Sequence, residues 1–175
     1  KTPAADKSGF AKSVVVVNTG DGKGKSSSAF GVMIRGVARG WDIAVLQFIK
    51  SGEWNVGEEK IGVQLGVDWF NEGEGFTWDS DNIDHDKALA QQGWGHAATL
   101  IAAGQHELII LDELTYLINW GWSEAEPVYE AIRNRPEKVN LVITGRDAPQ
   151  GLIDVADTVS EVRKIKHAFD KGILA

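Results

Sequence analysis

At 175 residues and a formal net charge of −7, the chain is long enough for one well-buried domain and too acidic for a sequence-independent nucleic-acid binder. Its composition, 43% hydrophobic and 25% charged, is ordinary for a globular protein, and the lack of cysteine excludes disulfides and thiolate metal sites. No apolar run approaches the ~20 residues that span a bilayer, and the polar start lacks a signal-peptide core, so a cytoplasmic protein with no membrane partner is expected.

Residues 1–13 read as a polar amino-terminal arm and 14–175 as a single domain. The apolar run 14–17 predicts a strand, followed by a glycine-rich loop and a helix over 26–39 that Gly40 ends. A second, almost wholly apolar strand covers 43–49, then a short amphipathic helix 58–65 and a strand 67–70. Residues 71–81 form a loop rich in glycine and acids, and a long helix over 84–103 is closed by Gly104. A buried strand over 108–111 runs into Asp112-Glu113. Ser123 and Glu126 have the spacing of a capping box for a helix over 123–134. The remaining elements are a strand over 140–144, a helix over 149–155 and a strand over 158–162. Strands alternating with helices predict an α/β fold: a mostly parallel sheet with helices on both faces and a ligand at the carboxyl ends of the strands.

The loop Thr19-Gly20-Asp21-Gly22-Lys23-Gly24-Lys25-Ser26-Ser27 sits between strand and helix, where backbone N–H groups and the helix dipole converge on an anion. Lys25 supplies a cation for a triphosphate, and the Ser26 hydroxyl is placed to ligate Mg²⁺. The usual G-x-x-x-x-G-K-[ST] spacing would put a glycine at position 19, where Thr19 stands, and Gly22 is an additional glycine inside the loop. Leu108-Ile109-Ile110-Leu111-Asp112-Glu113 resembles the acid-ended strand that serves Mg²⁺ in such proteins, with Glu113 the candidate. A helix N-cap is the other reading of that acid pair. Together the loop and the acids define a Mg-ATP site. Arg146, after the strand over 140–144, and Arg35, on the helix that follows the loop, are candidate phosphate partners, with surface ion pairs as the alternative.

Phe76 and Trp78 lie two residues apart between glycines and acids, so that in an extended chain both side chains point to one side. They are either anchors that pin a loop to the core or an apolar wall for a large flat ligand. His85, His96, His106 and His167 show no ligand spacing and are expected on solvated or helix-face positions.

The segments TGDGKGKSSSAFG, VLQFIKSGEW, GEGFTWD, LIILDELTYLINWGW, VITGRDAP and ADTVSEVRKIKHAFDKG, in this order, resemble the ATP:corrinoid adenosyltransferases of the cob(I)yrinic acid a,c-diamide type. The resemblance runs from about Val14 to the carboxyl end. It implies a RecA-like P-loop fold, a homodimer, ATP and a corrinoid as substrates, Mg²⁺ as cofactor and a flavin-type reductant as partner. The implied reaction is attack of Co(I) on the 5′ carbon of ATP with triphosphate as the leaving group, in adenosylcobalamin biosynthesis or salvage. Carried onto this sequence, Gly20, Asp21, Gly22, Lys23, Gly24, Lys25, Ser26 and Ser27 hold the triphosphate, with Arg35 and Arg146 near the nucleotide. Ser26 and Glu113 serve Mg²⁺, and Lys25, Phe76 and Trp78 carry the catalytic roles. Phe76 and Trp78 then become the wall that closes the lower face of a four-coordinate Co(II) corrinoid before its reduction. The competing readings are a RecA-like ATPase and a nucleotide-dependent corrinoid-binding protein without turnover.

Overall fold

The computed structural model describes residues 12–49 and 57–173. The arm expected over 1–13 lies outside these residues except for Lys12 and Ser13, as does the segment 50–56. The elements are β1 (Val15–Thr19), α1 (Lys25–Ala38), β2 (Ile43–Gln47), α2 (Gly57–Gln64), β3 (Asp68–Asn71), α3 (Ile83–Ala103), β4 (Leu108–Asp112), α4 (Leu114–Asn119), α5 (Ala125–Arg133), β5 (Asn140–Thr144), α6 (Gln150–Val155) and β6 (Thr158–Glu161).

The six strands form one sheet in the order β3-β2-β4-β5-β1-β6, and every pairing is parallel. Their carboxyl ends therefore lie along one edge. Neighbouring strand residues point to opposite faces, which is why the nearly continuous apolar runs build two cores. Val15, Val17, Leu46, Ile109, Leu111, Leu141 and Ile143 pack with Ala97 and Ile101 of α3 and Val128 and Ile132 of α5. On the other face, Ile43, Val45, Leu108, Ile110 and Val142 pack with Ala29, Phe30 and Met33 of α1. Helices thus cover both faces, as expected. Strand β5 separates β1, which carries the glycine-rich loop, from β4, which carries the acids.

Two local expectations give way to the tertiary structure. Helix α4, directly after Glu113, was not foreseen, because six residues are too few to show a periodic pattern. It also displaces the capping box. The N–H groups of Trp122 and Ser123 both donate to the Leu117 carbonyl, at 2.9 and 3.1 Å, which places Ser123 in the turn that ends α4. Glu124 occupies the N-cap of α5 without a side-chain bond, the Ser123 hydroxyl is buried without a partner, and Glu126 pairs with Arg133 instead. His106 also departs from a solvated role: it is buried, with Nε2 2.9 Å from Asp68 Oδ2. Among the described residues, no helix is long and apolar enough to cross a membrane.

Candidate active site

The loop leaves β1 at Thr19 and enters α1 at Lys25, with Gly24 at φ 114° as the N-cap residue. The first amides of α1 have no partners within the helix, and its first turn carries no acid, so they present a positive end to an anion. The two earlier glycines answer a different demand. A Cβ on Gly20 would stand 2.3 Å from the Val162 carbonyl oxygen, and one on Gly22 would stand 2.8 Å from Val162 Cγ1. The Gly22 N–H donates to that same carbonyl at 2.8 Å, and the Lys164 N–H donates to Asp21 Oδ1 at 3.0 Å. The additional glycine therefore lets the chain after β6 lie directly against the loop.

Lys25 is only 9% exposed, and its ammonium donates to the Gly22 carbonyl at 2.6 Å. Burial lowers its pKa, while the Glu113 carboxylate opposes that shift. Ser26 Oγ donates to Asp112 Oδ1 at 2.6 Å. Thr144 Oγ1 donates to the same oxygen at 2.7 Å and accepts the Glu113 N–H at 3.0 Å. The other oxygen, Asp112 Oδ2, accepts Gln47 Nε2 at 3.3 Å, and Gln47 Oε1 accepts Trp69 Nε1 at 3.0 Å. This network is possible because Gln47 and Asp112 are register partners on neighbouring strands.

Ser26 thus meets Asp112, and Glu113 stands beside that pair. Glu113 has φ 64° and occupies the N-cap of α4, but its side chain makes no capping bond. Burial, reinforced by the Asp112 charge, raises its carboxyl to about 7, against the pull of Lys25 and Arg146. Arg146 is exposed, and its charge reaches Asp21, Lys25 and Glu113. Arg35 is not brought here: it is exposed in the last turn of α1, about 15 Å along the helix from Lys25 at 1.5 Å per residue.

The aromatic pair lies at the same sheet edge. Phe76 packs edge-on against Trp78 and Trp122, with ring centroids 5.3 and 5.5 Å away. Trp78 is 52% exposed and meets Trp120 edge-on at 5.9 Å. Trp120 in turn stacks at a tilt on Tyr116 of α4 and on Trp122. Trp78, Asp79, Ser80, Ile83, Asp86, Trp120 and Trp122 line an open cleft of about 480 Å³. Phe76 is half-buried against the core, as a loop anchor would be, whereas Trp78 is half-exposed and lines the cleft.

The sequence profile of a family described as ATP:corrinoid adenosyltransferase BtuR/CobO/CobP matches residues 11–175. The chain belongs to the ATP:corrinoid adenosyltransferase family. A corrinoid adenosyltransferase of Pseudomonas aeruginosa is 42% identical over 166 residues, covering 94% of this chain and 81% of the relative. The corrinoid adenosyltransferase of Escherichia coli K12 is 40% identical, and corrinoid adenosyltransferase CobA of Salmonella typhimurium 39%, each over 164 residues, 94% of this chain and 83% of the relative. The all-parallel α/β sheet is consistent with a P-loop domain in this adenosyltransferase.

Several site residues were not assigned from the sequence. In the sequence Asp112 is only half of an acid pair, and nothing in a single chain distinguishes the half that faces Ser26. Trp120 and Trp122 repeat the two-residue spacing of Phe76 and Trp78, a signal that was available. Gln47 and Asp86 carry no local signature, because their partners are distant in the chain or lie in an irregular loop.

Proposed function

We propose that this protein transfers the 5′-deoxyadenosyl group of ATP to the cobalt of a Co(I) corrinoid, with release of inorganic triphosphate. The observation that carries the reading is the meeting of two unlike surfaces at one sheet edge. The phosphate loop reaches Asp112 and Glu113, and six residues of α4 lead from there to the Trp120 and Trp122 wall. Nine-tenths of the chain aligns with adenosyltransferases, which supports the same conclusion.

In this reaction the cobalt electron pair attacks the 5′ carbon, a Co–C bond forms, and the C–O bond to the α-phosphate breaks. The electron pair leaves with the triphosphate, and no proton is transferred, so the site needs charge stabilisation and not a general base. Lys25 and the first amides of α1 supply that stabilisation, and Arg146 adds a cation at the rim.

The donors around Ser26 suit Mg²⁺. Ser26, Asp112 and Thr144 offer oxygen atoms only, and such a hard ion is typically held by one or two carboxylates together with phosphate and water. Ser26 and Asp112 would hold it, with Glu113 acting through a water, and the ion would neutralise charge on the departing triphosphate. Trp78, backed by the Phe76 ring, presents an apolar surface to the lower face of the corrinoid, and the pair excludes an axial ligand. A four-coordinate Co(II) is then within reach of a flavin-type reductant. A homodimer is part of the same proposal, as is cytoplasmic residence.

The test is anaerobic mixing of the protein with Mg-ATP and chemically reduced cob(I)alamin, followed by visible spectroscopy. A light-sensitive alkylcobalamin and stoichiometric triphosphate are expected. Orthophosphate release without corrinoid would identify an ATPase, and corrinoid binding without product a non-catalytic carrier. Phe76→Ala and Trp78→Ala should slow the reaction that starts from Co(II) more than the one that starts from Co(I).

A further inference from the structure

Asp86 is buried to 1% exposure at the cleft, yet nothing in the chemistry above uses it. It is the fourth residue of α3, past the position from which a side chain caps its own helix. Its carboxylate instead reaches back to the aromatic loop. Oδ1 accepts the Thr77 N–H at 2.9 Å, and Oδ2 accepts the Trp78 N–H at 3.0 Å. The Thr77 hydroxyl lies 3.2 and 3.3 Å from the two oxygens. Burial alone would raise this carboxyl, but the Thr77 and Trp78 donors outweigh it and hold the group below the usual range, as the anion. Asp86 therefore collects every donor that Thr77 and the Trp78 backbone offer.

The geometry it holds is an unfavourable one. Trp78 has φ 56°, a left-handed backbone that a bulky aromatic residue rarely adopts. In that conformation the indole stands over the cleft against Trp120, while Phe76 turns inward onto Trp122. Such a conformation persists only where the surroundings over-determine it, and two N–H bonds to one buried anion do so here.

We propose that Asp86 is a positioning residue, whose buried carboxylate clamps the Thr77–Trp78 backbone in its left-handed turn and so keeps the Trp78 indole over the corrinoid cleft. The inference rests on the adenosyltransferase reading. It makes closure of the corrinoid's lower face depend on α3, an element that supplies none of the aromatic rings.

The test compares two rates in the full-length protein: adenosylation from Co(II) with a reduced-flavin donor, and adenosylation from chemically prepared Co(I). In Asp86→Asn, the amide oxygen can accept from only one of the two N–H groups while the NH2 faces the other, and the Co(II)-to-Co(I) rate ratio should fall about tenfold. The electron paramagnetic resonance signal of four-coordinate Co(II), formed with Mg-ATP present, should shrink in parallel. Asp86→Glu, which keeps the carboxylate, should recover part of both. Phe76→Ala and Trp78→Ala serve as references. If these two lower the ratio and Asp86→Asn leaves ratio and signal at the wild-type level, the clamp is overturned while the function stands. Unchanged ratios in the two aromatic variants would overturn the wall itself, and the clamp with it. Should Asp86→Asn fail to fold, Thr77→Val carries the test. It removes only the hydroxyl bonds and should lower the ratio about threefold, and an unchanged ratio overturns the clamp.

Discussion

The Ser26 hydroxyl donates to Asp112 Oδ1 at 2.6 Å, joining the phosphate loop to the end of β4 across 86 residues of chain. The same carboxylate takes Thr144 and Gln47, so three strand ends and one helix start converge on a single acid. Asp112 is thereby the fixed point of the site, and Glu113 is its partly buried neighbour.

The division of labour between these acids can be read by substitution. Asp112→Asn should lower Mg²⁺-dependent turnover about 100-fold, since it removes the carboxylate that faces the Ser26 hydroxyl. Glu113→Gln should cost about tenfold or less, because a group acting through water is more easily replaced. Initial rates against Mg²⁺ concentration measure both. The reverse order would show that Glu113 is the direct partner of the ion.

Glu113 also predicts a pH dependence of stability in the protein free of nucleotide and metal. Burial and the Asp112 charge raise its carboxyl from 4.5 to about 7. In the unfolded chain it loses its proton near 4.5, whereas the folded protein keeps that proton until about 7. Between those values the folded state binds more protons, so the stabilisation it contributes is complete below 4.5 and is lost as pH rises through about 7. Urea unfolding across this window should show wild-type stability declining relative to Glu113→Gln. A flat difference between the two would contradict the shift.

Lys25 should be irreplaceable in kind as well as charge. Lys25→Ala should reduce kcat/KM for ATP about 100- to 1,000-fold, the scale of removing a preorganised charge from a leaving-group site. Lys25→Arg should recover little of it, because the buried cradle bonded to the Gly22 carbonyl fits a compact ammonium and not a planar fork. Steady-state kinetics, with circular dichroism to confirm folding, is the measurement.

Gly22 and Gly24 separate packing from backbone conformation in the loop. A methyl group at Gly22 would meet Val162 Cγ1 at 2.8 Å and the Arg163 carbonyl at 2.9 Å, so Gly22→Ala should destabilise by about 1–3 kcal/mol. Gly24 has open space around its Cβ position, and Gly24→Ala should suffer only from its φ of 114°. Thermal unfolding should rank Gly22→Ala as the less stable protein. Equal melting temperatures would mean that the chain after β6 yields easily.

The sequence by itself determined the order of the strands and of every described α-helix except α4, and with it the sheet edge where chemistry would gather. Apolar runs such as 43–47 and 108–111 are local signals of strands buried on both faces. The loop from Thr19 to Ser27 is equally local, because its backbone geometry demands glycines in sequence. The motif order also carried the family, which the relatives bear out.

Tertiary structure decided what depends on partners distant in the chain. Strand register placed Gln47 and Thr144 on Asp112, and a helix too short to show a period carried Trp120 and Trp122 to Trp78. The same structure separated Arg35 from the loop it was expected to serve and gave the additional Gly22 its reason in the approach of Val162. Periodicity reports which side of an element is buried, but contact between two side chains depends on register and loop path, which a single chain does not spell out.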